Sequence, residues 1–70
     1  MQARQLEAAG KALYGTRWQS DIAAALGVSS RTIRRWLAGD TPIPDGVGAD
    51  IDRLLVTCIN VVTAIRKRIH

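Results

Sequence analysis

Between Gly15 and Gly39 the chain has room for only two short helices joined by a tight turn, and this constrains what the rest can fold into. Trp18, Ile22 and Leu26 repeat at four-residue steps with Ala23 beside them, so a helix over about residues 17–26 has one apolar face. Gly27 can reverse the chain, Val28 is an apolar turn residue, and Ser29 stands where an N-cap is needed. A second helix follows over about Ser30–Ala38. With Ile33 at 0° on a wheel of about 100° per residue, Trp36 and Leu37 fall beside it, near 300° and 40°. Arg31 and Arg35 fall near 160° and 200°, on the opposite side, with Arg34 on the flank near 100°.

The flanking segments also read as helices. Leu6, Ala9 and Leu13 make one stripe over about Gln2–Tyr14, which Gly15 stops. Thr16 and Gln19 have the spacing of a capping box, so Thr16 is the expected cap of the second helix. Pro42 and Pro44 stiffen the connector after Gly39, and Pro44 is expected at the first position of a last helix over residues 44–69. Along that helix Val47, Ile51, Leu54, Leu55, Cys58, Val62, Ile65 and Ile69 trace a stripe, which Val56, Ile59 and Val61 widen. A helix of that length extends about 39 Å, more than the preceding residues can cover. No strand-like alternation or internal repeat interrupts this pattern. The expected fold class is all-α: a compact bundle of four helices with a long C-terminal one.

Composition removes several function classes. Seventy residues suit a single domain, residues 1–70, with a marginal core. Cys58 is the sole cysteine and His70 the sole histidine, so a disulfide framework, a cysteine zinc site and a Ser/His/Asp triad are excluded. Asp50 and Asp52 stand two apart and do not face each other on a helix, which argues against paired acid/base work. We therefore expect no enzyme activity, no cofactor, no metal and no small-molecule ligand. Cys58 is expected as a small buried apolar residue, and Trp18 and Trp36 as core. Met1 is not followed by an apolar run, and the most apolar window, Leu54–Ile65, is shorter than the ~20 residues of a membrane span. A soluble, cytoplasmic protein is the expectation. The net charge is +4, and eight of the ten cations are arginines. Residues 1–39 carry six cations against two carboxylates, whereas residues 40–70 carry four against four. A basic, arginine-rich half suits a polyanionic partner.

Residues 17–38 have helix-turn-helix spacing, with Gln19–Ala38 reading QSDIAAALGVSSRTIRRWLA. Ala23 is small where the helices cross, Gly27 turns the chain, and Val28, Ile33 and Trp36 fill the wedge. Over about residues 13–55 the chain resembles the Cro/C1, or lambda-repressor-like, helix-turn-helix domains of bacterial and phage transcriptional regulators. Trp18-Gln19, Ala23, Leu26-Gly27-Val28-Ser29 and Arg31–Gly39 carry the resemblance. Domains of that family usually pack five helices, whereas the residues here give four, so the expected bundle has four or five. It implies binding to double-stranded DNA, with Ser29–Arg35, Thr32 included, as the recognition helix. By position in the motif, Gln19 meets a phosphate, Ser30, Arg31 and Arg35 reach base edges, and Arg34 and Thr41 touch the backbone. It implies a repressor-like regulator.

The stripe beyond the body, from Cys58 and Ile59 through Val62 and Ile65 to Ile69, is the expected homodimer interface. A dimer presents two recognition helices to a palindromic operator. The run Arg66-Lys67-Arg68 reads as a solvated helix end opposing the negative end of the helix dipole. The rival reading is a protein-interaction module, an anti-repressor or adaptor, that keeps the fold without specific DNA binding. The three outward arginines count against it.

Overall fold

Leu6, Ala9 and Leu13 lie on the inward side of α1, which spans Ala3–Tyr14 in the computed structural model of residues 1–70. Leu6 is fully buried and Leu13 packs at the margin of the core. The Gln2 N–H donates to Gln5 Oε1 at 2.8 Å, which occupies a donor that the start of a helix otherwise leaves free. A short 3₁₀ segment, Gly15–Arg17, leads into α2, Trp18–Leu26. Here the expected capping box is not made. Arg17, not Thr16, holds the N-cap position, and no side chain caps α2. A capping residue needs extended backbone, whereas the chain stays coiled through Arg17, at φ −98° and ψ 33°.

The turn after α2 follows from Gly27, whose φ of 73° and ψ of 29° are left-handed and free of the steric penalty a Cβ brings. The Val28 N–H then donates to the Ala23 carbonyl at 2.9 Å, closing the helix end. α3 spans Ser30–Ala38 and ends at Gly39, which is also left-handed. α4 spans Asp45–Ile69, with Pro44 at its N-cap, one place earlier than expected. All regular structure is helical, and no helix is long and apolar enough to cross a membrane.

One hydrophobic cluster joins all four helices. Trp18, Ile22 and Ala23 from α2 meet Leu6 and Ala9 of α1, Ile33 and Trp36 of α3, and Val47 and Ile51 of α4. Both tryptophans are core residues. α1 is central, packing against α2, α3 and α4. Its Gly10 is itself buried, because the Trp18 ring lies directly over it where a side chain would otherwise stand.

α4 leaves this body halfway along its length. Val47 and Ile51 are buried and Leu54 and Leu55 are half-buried, but every residue from Ile59 to His70 is exposed. Cys58 is half-buried rather than buried, because it sits where the body ends. The molecule measures 46 × 22 × 20 Å, and its radius of gyration is 13.2 Å. A compact chain of this length would have a radius of about 11 Å. The projecting half of α4 accounts for the difference.

Candidate nucleic-acid interface

The face of α3 opposite the core is built by alternation within nine residues. Ile33 is fully buried and Trp36 nearly so, which fixes the rotation of the helix. Arg31, Arg34 and Arg35 are consequently exposed. All three line one shallow surface depression with Ala38 and Asp40. Neither ion pair in the protein uses them. Lys11 pairs with Glu7 at 2.9 Å, and Arg53 with Asp50 at 3.2 Å. The guanidinium groups on α3 are thus free to meet an external anion, and each offers a planar fork of donors.

The start of α3 is held by Ser29, whose backbone is extended at φ −82° and ψ 154°. The Thr32 N–H donates to Ser29 Oγ at 3.3 Å. The hydroxyls of Ser29 and Thr32 also share a hydrogen bond of 3.1 Å. Both expected contact residues therefore have a local role, since their hydroxyls organise the first turn that carries Arg31. Ser30 lies beside them, half-buried, at the first position of α3.

The remaining expected contacts are less concentrated. Gln19 is half-buried in the first turn of α2, with no side-chain hydrogen bond. Thr41 lines a different depression, shared with Met1, Gln2 and Pro42 near the start of α1, and so is not gathered with the arginines. Asp40 was not singled out from the sequence. Its proximity to the arginine face arises because Gly39 folds the chain back, and the Asp40 N–H donates to the Arg35 carbonyl at 3.0 Å. That carboxylate confines the positive patch on one side.

The residues expected at a dimer interface lie apart from this face, along α4. Ile59 is 63% exposed, Val62 50%, Ile65 48% and Ile69 72%. No three His, Cys, Asp or Glu side chains gather as a metal site. Comparison with protein-family models, curated proteins and solved structures finds no match to the chain.

Proposed function

We propose that the protein is a sequence-specific double-stranded DNA-binding regulator of the helix-turn-helix type that works by occupying its site, without catalysis or cofactor. The observation that carries this reading is the exposed, unpaired set Arg31, Arg34 and Arg35 on one face of a helix locked by Ile33 and Trp36. The major groove, about 12 Å wide, admits an α-helix, and arginine donates two hydrogen bonds to guanine O6 and N7. Arg31 and Arg35 point most directly away from the core and are the base-reading residues. Arg34 on the flank and Gln19 at the start of α2 serve the phosphates, as contacts that position rather than specify. Two copies acting together match a two-fold symmetric operator, and the uncovered half of α4 supports that pairing.

Selection of preferred sites from random duplexes tests this assignment. Arg35→Ala is expected to weaken binding to the selected site by about 1–3 kcal/mol and to relax preference at one base pair. Arg17→Ala, off the α3 face, should leave the selected sequence unchanged. Identical selected sequences for the wild type and Arg35→Ala would remove Arg35 from the base-reading set.

A further inference from the structure

The stripe that buries Val47 and Ile51 does not end where the body ends. At about 100° per residue, Cys58, Val62, Ile65 and Ile69 all fall within about 40° of Ile51 around the α4 axis. Ile59 and Val61 flank them. Ile59, Val61, Val62, Ile65 and Ile69 are each about half exposed or more, so the face is a contiguous apolar patch of the kind that marks an interaction surface. The face is continuous with one that is buried against the body, yet it has no partner within the chain.

We propose that a second copy of this chain covers it, with the two α4 arms antiparallel and the two-fold axis passing between Val62 and Ile65. In that register Val62 packs on the partner's Ile65, and Cys58 on the partner's Ile69. Two features select the antiparallel sense. First, the body lies on the same side of α4 as the stripe, because Ile51 and the distal residues share one direction. Parallel arms paired at the usual 8–10 Å would force both bodies into the same space at Val47–Ile51. Antiparallel arms carry the bodies to opposite ends. Second, each arm ends in Arg66-Lys67-Arg68. Parallel pairing would set six cations side by side, whereas antiparallel pairing separates the clusters and also opposes the helix dipoles favourably.

The length of the arm fits the same arrangement. The uncovered part of the stripe runs from about Cys58 to Ile69, so its midpoint falls between Thr63 and Ala64, beside the proposed axis. Each arm then spans the other's free stretch and stops where the partner's body begins. The two Ile51 positions come to lie about 37 Å apart along the arms, at 1.5 Å per residue. The pairing adds geometry to the DNA-binding reading, but its test uses no DNA, so either can fail alone.

Sedimentation equilibrium on the full chain, together with oxidative cross-linking through the native Cys58, tests the proposal. The wild type is expected to sediment at twice the chain mass at tens of micromolar. Ile69→Cys should form a covalent dimer on mild oxidation, through Cys58 and the partner's residue 69. The wild type and the double variant Cys58→Ser/Ile69→Cys should not. A parallel pair would instead cross-link in all three proteins, since like positions then meet. A monomeric wild type would overturn the interface. Cross-linking of the wild type, or a dimer in which Ile69→Cys fails to cross-link, would overturn the register.

Discussion

Ile33→Ala is expected to lower the thermal midpoint by at least about 10 °C, while Arg35→Ala, two residues away, leaves it nearly unchanged. Ile33 is fully buried at the junction of α3 with α1 and α2. Truncating an isoleucine in such a place costs about 2–5 kcal/mol, part from lost transfer energy and part from the cavity left behind. A chain of this size has roughly 4–10 kcal/mol of stability in total. Each kcal/mol moves the midpoint of a 60–100-residue domain by about 4–8 °C. Arg35 is exposed, and neither ion pair involves it, so its removal subtracts nothing from the fold. Circular dichroism melts at one fixed protein concentration provide the comparison, because self-association would otherwise shift the midpoints. A drop below about 3 °C for Ile33→Ala would contradict the packing described for α3.

Gly10→Ala is the second large effect, and its sign runs against helix propensity. Alanine in a helix interior is worth about 1 kcal/mol over glycine. At position 10 an added Cβ would run into Cε3, Cδ2 and Cζ3 of Trp18. The ring cannot swing away freely, since Trp18 is 3% exposed and wedged in the core. Overpacking of this kind costs about 1–3 kcal/mol, and forcing the ring out would cost more. Gly46→Ala is the control, because a Cβ there meets nothing within 4 Å. In urea, the unfolding midpoint is expected to fall for Gly10→Ala and to hold or rise for Gly46→Ala. A Gly10→Ala protein as stable as the wild type would mean that α1 and α2 do not cross at this point.

How legible these features were in the sequence depended on how local their causes are. The wheel positions of Ile33, Trp36 and the three arginines follow from a single helix, and the structure places them accordingly. The cap at Ser29 and the turn at Gly27 rest on side-chain and backbone chemistry within four residues, and both are present. The Thr16 cap failed although its spacing was right, because a 3₁₀ turn keeps the backbone coiled where a cap needs it extended. Gly10 carries no such local signal. Its role is a close approach to Trp18, which lies on the next helix and has no signature in the spacing of α1. Asp40 likewise reached the arginine face only through the reversal at Gly39. The stripe on α4 was readable, but periodicity alone does not show where along it the body ends. The exposure profile does, and it places that limit near Cys58.

Binding of the folded chain to duplex DNA as a function of salt tests the central claim most directly. Fluorescence anisotropy with a labelled random-sequence duplex pool should show binding at low salt. The logarithm of the association constant should then fall linearly with the logarithm of salt concentration, by about 0.9 for each phosphate neutralised, giving a slope of about −2 or steeper. Replacing Arg31, Arg34 and Arg35 together by alanine should abolish that binding while the circular dichroism spectrum stays helical. A protein that is folded by the same spectrum, yet binds no duplex at low salt, would contradict the DNA-binding account and leave the arginine face of α3 to a protein partner.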